Sequence, residues 1–285
     1  MNIKLSDGRT LAYAEYGDPL GTPVFLFHGA PGSRLFYPPD EITKRLGVRL
    51  ITVDRPGYGG STFQPNRRIL DWPKDVAALA DSLGLARFAI AGHSGGGPHT
   101  LACAYVLPDR VTVAAVLSGA GPVDAPGATD GMILLNKFGF IFGRYFPWPL
   151  SRAFTWFFFH EQAANPAAIV DNDKGKRAKA DDEIFNIPEV REVCIQSDVE
   201  AYRQGLPGFS RDVYLITRLW GIPLEDIKVP VYLWHGTADD VTSIRMGHYM
   251  AGKIPNCKAT FCEGEGHMLL IPHWEEILTA LLTKT

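Results

Sequence analysis

The sequence predicts an α/β fold: a mostly parallel sheet covered by helices on both faces and interrupted by a mostly helical cap. Three observations carry this. Apolar runs of strand length recur along the chain, most of them end in a glycine-rich or polar loop followed by an amphipathic segment, and the alternation breaks down between the fourth and fifth buried runs.

Two alternating runs open the chain, residues 2–5 and 10–16, separated by the turn Ser6-Asp7-Gly8; they read as an antiparallel hairpin. Residues 24–27, 50–53, 88–91, 111–117, 231–234 and 259–261 then read as buried strands, because continuous apolar runs with helical segments between them fit a sheet covered on both faces. Trp72, Val76, Leu79, Ala80 and Leu83 share one face at helical spacing, and Gly84 marks the stop. From Gly121 to Gly221 the chain is rich in Phe, Trp, Pro and charge, with no convincing buried strand. The expected organisation is a core built from residues 1–121 and 222–285, with a helical cap at 122–221 inserted between two of its strands.

The chain has 285 residues, 46% of them hydrophobic, and a formal charge of -3, ample for a large core. That near-neutral balance gives no electrostatic reason to expect nucleic acid or an anionic membrane surface as partner. Lys174, Lys176, Arg177 and Lys179 are interleaved with Asp171, Asp173, Asp181, Asp182 and Glu183, which reads as a solvated helix face. The most apolar stretch, residues 132–159, is broken by Lys137, Arg144, Pro147, Pro149 and Arg152, short of the ~20 uninterrupted residues of a membrane span. The first residues lack the apolar core of a signal peptide. Cys103, Cys194, Cys257 and Cys262 lack the paired spacings of zinc or redox motifs, and Cys257 and Cys262 flank one strand, so they point in different directions. A soluble, cytoplasmic protein is expected, its oligomeric state open.

Chemistry concentrates where strands end. After residues 88–91 stands Gly92-His93-Ser94-Gly95-Gly96, a G-x-S-x-G pattern. A strand that turns abruptly into a helix strains its corner residue, which is tolerable where neighbours lack side chains. Ser94 is thereby lifted clear at a helix N-terminus, whose partial positive charge favours a developing oxyanion. Directly after residues 24–27 comes His28-Gly29-Ala30-Pro31-Gly32. An acyl-transfer intermediate needs two preorganised donors: Gly95 N–H is one, and Ala30 N–H is assigned as the other, since Pro31 cannot donate. Residues 231–234 run into Asp239-Asp240, and residues 259–261 run into Glu263-Gly264-Glu265-Gly266-His267. Of eight histidines, only His267 lies in a glycine-flanked loop after the last strand; His28, His93, His99, His160, His235, His248 and His273 read as structural or solvent-facing. His160-Glu161 is no zinc helix, because Ala164 stands where a second histidine is required.

Four motifs in order, His28-Gly29-Ala30-Pro31-Gly32, Asp54-Arg55-Pro56-Gly57-Tyr58-Gly59-Gly60-Ser61, Gly92-His93-Ser94-Gly95-Gly96 and Gly236-Thr237-Ala238-Asp239, resemble those of the α/β-hydrolase superfamily. The likeness is to its capped esterase, lipase and aminopeptidase-like branch and covers the chain except the cap. It implies Ser94 as nucleophile, His267 as general base and Asp239 as the acid that orients it, in the chain order of that fold. Asp240 is then an adjacent decoy, and Asp124 is the candidate if the acid follows an earlier strand, as in some members. Proline aminopeptidases usually carry a second glycine where Ala30 stands and a tryptophan where His93 stands. A serine at position 94 departs from the dehalogenase and epoxide-hydrolase branches, whose nucleophile is a carboxylate.

The implied activity is ester hydrolysis through an acyl-enzyme, needing no metal and no organic cofactor, on a small-molecule substrate. Alternatives are a proline-iminopeptidase-like aminopeptidase, a lactone or carbon–carbon bond hydrolase with the same triad, and a small-molecule receptor on the hydrolase fold. The peptidase needs a cap carboxylate for a substrate amino terminus, for which Glu161, Asp171, Glu183 and Glu189 are available. The aromatic run Trp156-Phe157-Phe158-Phe159 points around more than half a helical turn, so some of its rings are expected to face an apolar pocket above Ser94.

Overall fold

Loops that leave adjacent strand ends side by side are what this sheet provides. The computed structural model describes residues 1–168 and 174–283. The strands are β1 (Asn2–Lys4), β2 (Thr10–Gly17), β3 (Thr22–Phe27), β4 (Val48–Val53), β5 (Phe88–His93), β6 (Val111–Leu117), β7 (Val231–Gly236) and β8 (Cys257–Cys262). They lie in the order β1-β2-β4-β3-β5-β6-β7-β8. The opening hairpin is antiparallel, β2 also runs antiparallel to β4, and every later pairing is parallel. The order reverses at β3, so ligand groups gather beyond its C-terminal end. Phe27 pairs with Gly92 and Gly236 with Cys262, which places the loop of His28 beside that of Ser94 and the loop of Asp239 beside that of His267.

All eight expected strands are present. Their differences in length have one cause: hydrogen bonding continues past the apolar residues. β8 starts at Cys257 and not at residue 259, because half-buried Cys257 and exposed Lys258 still pair with Val231 and Tyr232. Cys257 packs on one side of the sheet and Cys262 on the other, as their spacing requires.

Alternation along each strand divides the core. Phe25, Phe27, Ile51 and Ile90 face Val76, Leu79 and Ala80 of α2 (Trp72–Ser82) and Leu101 of α3 (Gly97–Val106). Val24, Leu26, Leu50, Ala91 and Val113 face Trp274, Ile277, Leu278 and Leu281 of the C-terminal helix Trp274–Leu282. A short helix, α1 (Asp40–Arg45), joins that second side, where Thr43 accepts a hydrogen bond from Trp274 Nε1 at 2.9 Å.

Among the described residues, five α-helices and no strand lie between β6 and β7: α4 (Leu134–Tyr145), α5 (Trp148–Ala164), α6 (Lys179–Phe185), α7 (Pro188–Ala201) and α8 (Pro207–Ile216). Two further helices, α9 (Ile244–Lys253) and α10 (Trp274–Leu282), complete the chain. Two expectations for the insertion need correction. Lys174 to Arg177 form a turn and not a helix face; Arg177 pairs with Asp182 at 2.9 Å and lies 4.3 Å from the Phe185 ring centre, while Asp181 is buried. Lys179 and Glu183 do stay exposed, and Asp171 and Asp173 lie outside the described residues. Trp156, Phe157 and Phe158 point to solvent, and Phe159 packs on Phe209.

The insertion is fastened to the sheet by a buried ion cluster. Asp212 of α8 accepts from Arg55 Nε at 2.7 Å and from Arg67, with all three side chains buried. Next to it Gly208 meets Gly57 so closely that a side-chain carbon on either residue would strike the other's backbone. Removing one partner of such a cluster strands buried charge, so Asp212→Ala is expected to destabilise the fold by about 3–5 kcal/mol. Urea unfolding measures this; a loss below about 1 kcal/mol would show that the arginines find other partners.

Candidate active site

The corner after β5 has the strain its sequence implies. Ser94 sits at φ +53°, a conformation that L-residues with side chains rarely adopt. Side-chain carbons on Gly92 or Gly96 would collide with Thr100 and the Phe27 carbonyl respectively, so the corner closes only with glycine at both positions. α3 begins three residues later and directs its N-terminal end towards this corner.

The loop after β3 is held from behind. Arg55 donates to the His28 carbonyl and, at 2.7 Å, to the Gly29 carbonyl. In a planar trans peptide the Gly29 C=O and Ala30 N–H point in opposite directions, so this contact turns the Ala30 amide away from Arg55. Ala30 and Gly95 are near neighbours: a side-chain carbon on Gly95 would lie 3.3 Å from Ala30 N. The two residues assigned as donors thus lie side by side next to Ser94.

On the other side, Asp239 and His267 meet. His267 Nδ1 lies 2.9 Å from Asp239 Oδ2, both residues being buried. Asp239 also accepts from the backbone of Val241 and Thr242, both at 2.9 Å, and from Thr242 Oγ1 at 2.8 Å. Burial disfavours its charge, but the imidazole beside it and these hydrogen bonds win, and its carboxyl is held well below the usual range. For His267 burial lowers the pKa, yet the charge and hydrogen bond of Asp239 outweigh it and raise the pKa above the ordinary histidine value. With Nδ1–H committed to the carboxylate, Nε2 is the free lone pair.

The loop that carries His267 has two further supports that sequence reasoning missed. Asp181, from α6, accepts the backbone N–H groups of His267 at 2.9 Å and Met268 at 2.7 Å. His93, held neutral by burial with a pKa near 3, donates Nε2–H to the His267 carbonyl at 3.0 Å. Asp181 had one signal: it precedes Ile184 and Phe185 at helical spacing, an acid on an apolar face.

The rival acids fare differently. Asp240 borders the cavity but its carboxyl makes no hydrogen bond to His267, and Asp124 is exposed. Among the other histidines, His28, His99 and His235 are buried and bonded to backbone groups, His160 is exposed, His248 stacks on Phe261 and His273 contacts Glu276.

Ser94, His267 and Ala30 open on one cavity of about 560 Å³. Its apolar wall comes from Phe36, Ile133, Phe185, Val241 and Met268, and the aromatic run at 156–159 takes no part, contrary to expectation. Of the acids considered for an amino-group site, Glu161, Glu183 and Glu189 are exposed and Asp171 lies outside the described residues. A different carboxylate, Asp198 of α7, lines the cavity, and burial pushes its pKa up to about 7.

A parallel sheet with these groups on its strand-end loops defines the class of fold the sequence resembles. The chain belongs to the alpha/beta hydrolase family, whose model matches residues 24–280. It is 38% identical over 118 residues to the dihydrolipoyllysine-residue acetyltransferase component of an acetoin cleaving system from Pseudomonas putida, covering 40% of this chain and 31% of that protein. It is 32% identical over 117 residues to a proline iminopeptidase of Xylella fastidiosa (38% and 36% covered) and 33% over 142 residues to a non-heme chloroperoxidase of Streptomyces lividans (46% and 50%). The matches thus span between about a third and a half of these relatives' lengths. Solved structures share the fold: a hydrolase from Pseudomonas aeruginosa (TM-score 0.71, 17% identity, 99% and 97% covered) and an enol-lactonase from Burkholderia xenovorans (0.67, 20%, 99% and 100%).

Proposed function

We propose that this chain hydrolyses carboxylic esters of small to medium apolar substrates, with residues 122–221 forming a cap over Ser94. The observation that supports this best is the buried Asp239–His267 pair opening on the same cavity as a serine held at positive φ. Ser94 Oγ attacks the ester carbonyl carbon while His267 Nε2 takes its proton, and the N–H groups of Ala30 and Gly95 receive the oxyanion. The imidazolium, steadied by Asp239, returns the proton to the departing alcohol; water then repeats the sequence on the acyl-enzyme and frees Ser94. The apolar wall suits an acyl chain, and the four free cysteines fit an intracellular setting.

A second reading, an aminopeptidase, draws support from Asp198 and from the stretch shared with proline iminopeptidases. p-Nitrophenyl esters of graded length, run beside aminoacyl p-nitroanilides and lactones, separate the readings. Each added methylene is expected to raise kcat/KM about fourfold until the cavity is full, from about 0.8 kcal/mol per buried methylene. At pH 6, where the Asp198 carboxyl is mostly neutral, Asp198→Asn leaves ester turnover within about twofold. If instead aminoacyl substrates dominate and Asp198→Asn cuts their turnover by roughly a hundredfold, the carboxylate pairs with a substrate ammonium and the peptidase reading replaces the ester one.

A further inference from the structure

The α4–α5 hairpin is patterned inside out. α5 buries Ser151 and Thr155 and exposes Trp156, Phe157 and Phe158 at 49% to 67%. On α4, Leu134, Phe138, Ile141 and Tyr145 recur at spacings of four, three and four, which is one helical stripe, yet they are 41% to 75% exposed. Phe142 stacks on Phe154 with ring centres 4.8 Å apart, which joins the two helices into one surface. Contiguous exposed apolar surface of this kind marks a contact face and not a water-facing one.

Charge indicates what that face meets. The two helices and their connection, residues 134–164, contain Lys137, Arg144 and Arg152 against a single acid, Glu161 near the end of α5, in a chain whose total charge is -3. None of the three cations forms an ion pair among the described residues. Two copies meeting through this face about a twofold axis would set the same cations against one another. An anionic lipid surface instead satisfies both features at once: the cations meet headgroups and the aromatic and aliphatic side chains enter the boundary below them. We propose that the α4–α5 hairpin docks this protein on anionic membrane surfaces, lying in the interface without crossing it. No described helix is long and apolar enough to cross a membrane. The overall charge conceals this local bias, which is why composition gives no sign of it. Ile133 and Leu135, which flank Leu134, are partly exposed and also line the cavity, so the exposed apolar surface of α4 begins beside the cavity.

The test is co-sedimentation of the full chain with vesicles of phosphatidylcholine alone and of phosphatidylcholine with phosphatidylglycerol, with light scattering to follow self-association. Binding is expected on the anionic vesicles and at least about tenfold weaker on neutral ones or in high salt. Lys137→Gln and Arg152→Gln should each weaken it about fivefold. Trp156→Ser with Phe157→Ser should weaken it more than about tenfold while the far-UV circular dichroism and melting temperature stay unchanged. Failure to bind either vesicle, or variants that bind like the parent, would overturn the proposal. So would a parent dimer that the Trp156→Ser, Phe157→Ser pair converts to monomer, since a second copy would then cover the face.

Discussion

Alanine in place of Ser94 is expected to lower ester hydrolysis by roughly 10³-fold or more while leaving the fold intact. The variant keeps the Ala30 and Gly95 amides proposed to receive the oxyanion, so water can still attack an ester carbonyl held there, but the covalent route is gone. Its stability should barely change, because alanine pays the same conformational cost at φ +53° as serine does. Ser94→Gly makes a useful comparison: equally inactive, it escapes that cost and should be more stable by up to about 1 kcal/mol. Turnover of a p-nitrophenyl ester and thermal melting read both effects. A folded Ser94→Ala enzyme with near-normal turnover would remove Ser94 from the mechanism.

Asp239→Asn is expected to reduce kcat by about 10⁴-fold, against less than about tenfold for Asp240→Asn or Asp124→Asn. An asparagine oxygen can keep the Val241 and Thr242 amides, which turns its NH₂ towards His267 Nδ1. Nδ1 must then accept, the ring proton moves to Nε2, and the lone pair that takes the serine proton is lost. The pH profile supplies a second readout. The carboxylate raises the His267 pKa, and only neutral imidazole acts as base, so the acid limb of kcat/KM for the parent lies above the ordinary histidine value of 6.5. In the variant that limb shifts towards lower pH. A larger loss at Asp240 or Asp124 would reassign the acid.

What could be read from the sequence follows from where the residues sit. Ser94, Asp239 and His267 lie within a few residues of strand ends, and strand register alone fixes which loops become neighbours, so apolar runs and glycines locate them. Helix orientation in the insertion has no such anchor. Trp156 to Phe159 are apolar all round α5, so periodicity could not say which face turns inward, and the rings expected to line a pocket face solvent or Phe209 instead. Asp181 and Asp212 look like ordinary helix acids until tertiary packing buries them, as does Asp198 until it lines the cavity. Asp212 left a trace, since Phe209, Asp212 and Ile216 form one stripe at helical spacing with a charge in its middle. A buried acid implies a buried cation, but the sequence does not say that Arg55 and Arg67 supply it.

The grip of Asp181 on the His267 loop bears on how molecules come and go. An insertion that swung away bodily would strip two charge-assisted hydrogen bonds from the segment that carries the imidazole and would also part Asp212 from its arginines. Wide opening and the present pose of His267 are therefore alternatives. Traffic is best served by side-chain breathing at the rim, around Ile133 and Leu135, where no such bond has to break. If the insertion stays seated on these two attachments, bulky leaving groups are expected to be limited by passage past the cavity rim before they are limited by bond cleavage.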